Sequence, residues 1–238
     1  MDKPYIRPLN HPVTTTGTGM FAKFKVWLVD GPWVRAQGEA QNQFTNFGQH
    51  FRFSFIPMYE FWIDFFEANR SEQGYFILHM MTEWQDMKDG KDYESAYDHA
   101  DEVEQRARAR YEHISENVDP LDAKIRMFHE LQDGMTLWLA NEEFIHKYLT
   151  LNYAEGGHHL VPGYEFIPED EYWIGQTLPI GFPLPERLII SGHEIGEHTD
   201  MAKNGMSYPK AHAKISKKEL EVRENPDGLM SWLQSLGW

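Results

Sequence analysis

HEIGEHTDMAKNGMSYPKAH, residues 193–212, organises the reading of the whole chain. Positions four apart lie one above the other on a helix, so His193 projects with Glu197, and Glu194 with His198. Asn204-Gly205 is a helix-stop signal. Ser207 can cap a following helix whose first turn accepts Pro209, because the N–H that proline lacks has no helical partner there. That second helix carries His212. The stretch predicts helix, tight turn, helix, with an imidazole–carboxylate pair on the first helix and another imidazole returned by the second. Such a pair is half of a workable site for zinc or another divalent metal.

Working outward, the same order of residues recurs in the N-terminal half. His79, Glu83 and Met87 match His193, Glu197 and Met201, and Gly90, Tyr93 and Ala96 match Gly205, Tyr208 and Ala211. Further upstream, Trp27-Leu28 matches Trp138-Leu139, and Phe44 to His50 runs parallel to Tyr153 to His159. Phe55-Ile56-Pro57 matches Phe166-Ile167-Pro168, and Glu60-Phe61-Trp62-Ile63 matches Glu171-Tyr172-Trp173-Ile174. Asn117 to Leu121 is echoed by Asn225 to Leu229. A collinear series of this length indicates an internal duplication. The expected organisation is an extended N-terminal arm over 1–19, a degenerate repeat over 20–133, and a repeat with an intact candidate site over 134–238.

The expected fold class is α+β: two tandem repeats, each a small antiparallel sheet packed against a helix pair. EFWI and EYWI, aromatic and β-branched, fit strands. HFRFSFI alternates as a half-buried strand does. VWLV followed by Gly-Pro and Trp33-Val34 suggests a hairpin. The charged run through residues 92–116 is long and amphipathic enough for a helix, with Asp98 to Arg110 read as a solvated face. PLDAKIRMFHELQ and GLMSWLQSLGW are expected to close the repeats as short helices, with Trp232 and Trp238 exposed for a partner.

Net charge is −15, which sets phosphate-rich partners aside, both nucleic acid and anionic membranes. The chain has no cysteine, so any metal must be held by His, Asp, Glu or backbone oxygen. No apolar run is long enough to span a bilayer, and the first residues lack a signal-type apolar core. Cytoplasmic or virion-associated location is the expectation, with oligomeric state open.

The two copies compare their own sites. The first keeps His79 and Glu83 but has Met80 for Glu194, Trp84 for His198 and Tyr97 for His212. This favours His193/Glu197 as the metal-binding face and makes His79–Glu83 a buried polar pair. In Gly156-Gly157-His158-His159, adjacent side chains on a strand point opposite ways, so one histidine at most joins a site. His159, matched by His50, is the candidate, as a ligand or transition-state donor; the alternative is turn glycines with one surface and one core histidine. Glu171 is either an edge-strand charge or a partner for a histidine. His11, His113, His129 and His146 are expected at the surface or in satisfied hydrogen bonds.

HEIGE resembles the HExxH core of the zincin metallopeptidases, with Glu197 where that motif has its second histidine and His212 downstream. The resemblance implies zinc or another divalent metal on His193, Glu197 and His212, with Glu194 as catalytic base and a peptide substrate. Hydrolysis of a peptide or amide bond is the implied reaction. The string GGHH, FIP, E-[FY]-W-I, HExxE is also similar to bacteriophage-encoded proteins of uncharacterised function. The alternative reading is a structural or interaction protein, such as a virion or host-interaction component, that uses the fold as a scaffold for a protein partner.

Overall fold

The computed structural model describes residues 4–9, 24–66, 71–112, 118–178 and 185–238. In chain order the first repeat holds β1 (Tyr5–Leu9), β2 (Lys25–Val29), the short helices α1 (Gly31–Arg35) and α2 (Glu39–Asn42), β3 (Phe47–Gln49), β4 (Glu60–Asp64), α3 (Gln73–Lys88) and α4 (Tyr93–Glu112). The second holds β5 (Lys124–Glu130), β6 (Thr136–Ala140), α5 (Glu142–Tyr148), β7 (Gly156–His158), β8 (Glu171–Gly175), α6 (Glu186–Ala202), α7 (Tyr208–Glu224) and α8 (Leu229–Ser235). The fold is α+β, two tandem repeats of a four-stranded sheet followed by helices. The strand orders are β1-β2-β4-β3 and β5-β6-β8-β7. The described parts of Met1–Val34 and Phe44–Asn117 make one compact unit, and those of Arg35–Gln43 and Val118–Trp238 another. No described helix is long and apolar enough to cross a membrane.

The sheets differ from expectation in being mixed. β2 runs parallel to β4, with Trp27 beside Trp62, and β6 runs parallel to β8, with Trp138 beside Trp173. The other pairings are antiparallel. Parallel neighbours need a long crossover, supplied by α1, α2 and the edge strand β3 in the first repeat and by α5 and the edge strand β7 in the second. A boundary at 133/134 would cut between β5 and β6, which are hydrogen-bonded partners. Likewise residues 5–9 of the expected arm pair with β2 as β1.

Three local expectations fail for identifiable reasons. PLDAKIRMFHELQ is no helix: Asp119 caps a single 3-10 turn over Pro120–Ala123, and β5 follows. Two register shifts in β5 break its alternation and imitate helical spacing, leaving Ile125 and Met127 exposed. The expected hairpin after VWLV is α1, because the Asp30 carboxylate accepts the Trp33 N–H (3.0 Å) and Pro32 suits a first turn. HFRFSFI is a run of tight turns, with Phe53 N–H on Gln49 C=O and Ile56 N–H on Phe53 C=O, both 2.9 Å. Its apolar residues alternate because the turns drop Phe53 and Ile56 into the core while Phe51 stays outside.

The second repeat's core explains why β8 reads as continuous apolar sequence. Its Trp173 packs with Tyr153, Tyr164 and Ile167 on one side. Its Tyr172 and Ile174 pack with Ile190 and Ile195 of α6 on the other. Each such side chain contributes roughly 1.5–3 kcal/mol by leaving water. Trp232, expected at the surface, lies buried with Ile189, Ile215, Val222 and Leu233. Trp238 stacks on His129 at 4.0 Å.

Matched positions also do matched work. Glu60 accepts from Trp62 Nε1 (2.9 Å) and, across β2, from Tyr5 of the edge strand β1 (2.8 Å). Glu171 accepts from Trp173 Nε1 (2.8 Å) and pairs with Lys124. Glu171 is therefore a strand-tying carboxylate rather than a histidine partner. At the end of the β4 and β8 strands the repeats exchange roles. In the first, Asp64 accepts the Phe66 N–H (2.9 Å) and Gly31 leaves room for its carboxylate. In the second, Glu142 accepts the Thr177 N–H (3.1 Å) and the room is left by Gly175. One carboxylate position is thus reached from opposite backbones.

Candidate metal centre

α6 and α7 are the two helices expected from residues 193–212, and they bring three of the expected residues to one point. His193 Nε2 lies 3.6 Å from Glu197 Oε2 and 3.2 Å from His212 Nδ1. His212 Nδ1 lies 2.8 Å from the same Glu197 oxygen. Four-coordinate zinc with bonds of about 2.0–2.1 Å holds its donors roughly 3.3 Å apart, within the range of these separations. The other nitrogen of His193 is engaged: its Nδ1–H donates to Glu219 Oε2 (2.6 Å), which aims Nε2 at the convergence point. A carboxylate behind a histidine in this way fixes its tautomer and ring orientation for metal binding.

Among the described residues a second group lies alongside, comprising His158, Glu194 and Glu197, with donor atoms within 4.8 Å of one another. His158, not His159, is the strand histidine at the site. The pleat decides this. A side chain at Gly156 would meet Glu194 and Ile190 of α6, whereas one at Gly157 would meet Tyr164 on the opposite side. His158, two residues from Gly156, shares the α6 side and is fully buried. His159, just past the end of β7, belongs to neither donor group, and its ring lies 5.4 Å from that of His198. His198 does not join the convergence point; its Nδ1 pairs with the Tyr172 hydroxyl at 2.9 Å. Glu194 is buried, and among the described residues its carboxylate accepts no hydrogen bond.

Behind Glu219 runs a chain of buried charges. Arg223 Nε donates to Glu219 (2.8 Å), and its other nitrogens grip the Glu186 carboxylate. Glu186 lies 3.8 Å from Arg35, which pairs with Glu155. Glu155 adopts a left-handed backbone conformation (φ 64°) immediately before β7. The chain of alternating charge therefore links the His193 side of the site to the start of the strand that carries His158.

These surroundings set the proton affinities. Burial acts against charge on His193, but the Glu197 and Glu219 carboxylates outweigh it and raise its pKa well above the usual imidazole range. Burial would raise Glu197; hydrogen bonds from His158 and His212, with His193 close by at 3.6 Å, instead hold it far below the usual carboxylate range. Glu219 is likewise opposed by burial and pulled down to about 2 by the Arg223 charge and His193. Glu194 lacks such partners, and burial followed by repulsion from Glu197 pushes it well up. Burial and the neighbouring His158 and His159 lower His198 to about 4.

The first repeat presents the same framework with a different centre. His79 Nε2 lies 3.6 Å from Glu83 Oε2, as in the second repeat, and its Nδ1 lies 3.2 Å from Asp101. Tyr97 stands in the His212 position with its ring 5.2 Å from His79. Arg108 bridges Glu72 (2.7 Å) and Glu104 (2.6 Å), as Arg223 bridges Glu186 and Glu219. The run Asp98 to Arg110 is thus not simply a solvated face, since Glu104 and Arg108 are buried. His146 is buried too, with Nε2 against Tyr153 C=O at 2.7 Å. His11 and His113 lie outside the described residues.

The residues missing from the sequence-based site are His158, Glu219, Arg223, Glu186 and Arg35. The duplication carried a signal for three of them: Glu72, Glu104 and Arg108 recur in order as Glu186, Glu219 and Arg223. Comparison of the chain with protein-family models, curated proteins and solved structures returns no match.

Proposed function

We propose that the second repeat binds a divalent cation, zinc first among them, through His193 Nε2, Glu197 Oε2 and His212 Nδ1, and that the centre hydrolyses a peptide or amide bond. The observation that carries this reading is the convergence of three donor atoms from two helices, with pairwise separations of 2.8, 3.2 and 3.6 Å. The donor set fits the group, since two histidines and one carboxylate are a known catalytic zinc set. The cation would supply Lewis acidity toward a substrate carbonyl. The chain's own residues do the rest. Once the cation displaces its second proton, Glu219 would hold His193 in the tautomer whose Nε2 is free to bind. His158 engages Glu197 Oε1 and leaves Oε2 toward the two imidazoles. Glu194, buried beside Glu197 and without a hydrogen bond among the described residues, would take a proton from an attacking water, the cation's charge opposing the burial and Glu197 repulsion that otherwise raise its proton affinity. The zincin resemblance of residues 193–198 supports the same assignment, with ligand types exchanged between Glu197 and His212.

The test is metal content and uptake of the purified chain, followed by peptide hydrolysis. Glu194→Gln should keep the metal and lose turnover by roughly 10²–10⁴-fold. A chain that neither carries nor takes up a divalent cation removes the reading. A second reading, a non-enzymatic scaffold for a protein partner such as a virion or host-interaction component, is favoured by one observation. The first repeat retains its buried Glu72–Arg108–Glu104 array although Tyr97 and Met80 replace the third donor and the base. Metal uptake with no turnover of any peptide, and no effect of Glu194→Gln, would select it.

A further inference from the structure

We propose that His158 is a positioning residue rather than a ligand: it holds Glu197 so that the single oxygen Oε2 faces the cation. This rests on the metal reading above. Left to itself, the group of His158, Glu194 and Glu197 could be taken for a second cation position that shares Glu197. The hydrogen bonds around His158 argue otherwise. The Leu160 backbone N–H donates to His158 Nδ1 (3.3 Å), so that nitrogen is the acceptor of the ring. In a neutral imidazole the other nitrogen then carries the proton. Nε2–H accordingly donates to Glu197 Oε1 at 3.1 Å, and its lone pair is not free for a metal.

The first repeat supplies an independent copy of the device made from a different side chain. Gln49 occupies the matching position on β3, its Oε1 accepts the N–H of Phe51, two residues on, and its Nε2 donates to Glu83 Oε1, both at 2.6 Å. Acceptor and donor stand in the same order as in His158: backbone N–H two residues ahead, ring or amide atom, glutamate Oε1. A carboxamide N–H₂ has no lone pair to offer a metal. What the two positions share is therefore the pair of hydrogen bonds, and coordination is not part of the shared role. In both repeats the glutamate oxygen left over, Oε2, is the one that faces the helix histidine at 3.6 Å.

The discriminating substitution is the one the molecule already contains. Full-length wild type, H158Q, H158L and H212Y would be titrated with Zn²⁺ against a chromophoric chelator, and their Co²⁺ forms examined by visible absorption. H158Q should match wild type in affinity and in cobalt spectrum. H158L should bind about 10–100-fold more weakly, the usual cost of removing a partner that orients a ligand, and H212Y should be weaker still. A cobalt spectrum altered in H158Q, or an affinity as low as that of H158L, overturns the proposal by making His158 a ligand. Should H158L fail to fold, H158Q decides alone. If wild type binds neither ion, the metal reading falls and takes this proposal with it. That outcome is distinct from one in which wild type binds and H158Q does not.

Discussion

The first repeat clamps a glutamate with glutamine, sets a tyrosine edge-on where a third donor would stand, and buries a methionine where a base would stand. The second clamps its glutamate with histidine and closes the set with His212. Behind the helix histidine both repeats keep an arginine gripping two carboxylates, although His79 Nδ1 meets Asp101 where His193 Nδ1 meets Glu219. The difference teaches that the buried charges serve the scaffold, because they persist where no donor set is complete. The convergence of His193, Glu197 and His212 is what the second repeat carries beyond that scaffold.

The arginines give the largest effects by which to break this comparison. Arg108→Met and Arg223→Met each take the shared guanidinium from two buried carboxylates, and each should cost about 3–5 kcal/mol in urea unfolding of metal-free protein. A small loss at Arg108 beside a large one at Arg223 would make the array part of the metal site, not of the fold. The exchanged carboxylates come next. Glu142→Gly removes the acceptor of the Thr177 N–H and should cost about 1–3 kcal/mol in thermal unfolding. Gly175→Asp alone crowds Glu142, whereas the double variant rebuilds the arrangement of the first repeat and should recover most of the loss. The smallest effect is a gain. Tyr97→His should give the first repeat a third donor, so that calorimetric Zn²⁺ titration shows a second, weaker site. Continued single-site binding would mean that the two centres differ in more than this residue.

Much of this architecture was legible in the sequence. The helix–turn–helix of residues 193–212 followed from spacing and punctuation, and the duplication followed from collinear aromatic residues. The convergence of His193, Glu197 and His212 was readable because an i, i+4 pair fixes one helix face and a short turn limits where the next helix returns. His158 was not readable in place of His159. Alternation says that the two point apart, but only packing says which side of β7 meets α6. The buried arginines were hidden for another reason. Arg223 and Glu186 are far apart in sequence, and a charged run looks solvated until its partners are known. In β5, bulges disguised a strand as a helix.

The exchange of carboxylate and glycine between Asp64/Gly31 and Glu142/Gly175 has a genetic consequence. DNA recombination between the two halves of the coding sequence, with an exchange point falling between those positions, would encode a repeat with two acids crowded into one space or with none. One product would crowd two carboxylates and the other would lose the turn anchor, so selection for the fold would act against such an exchange. The halves are free to drift toward separate duties while their frames stay superimposable.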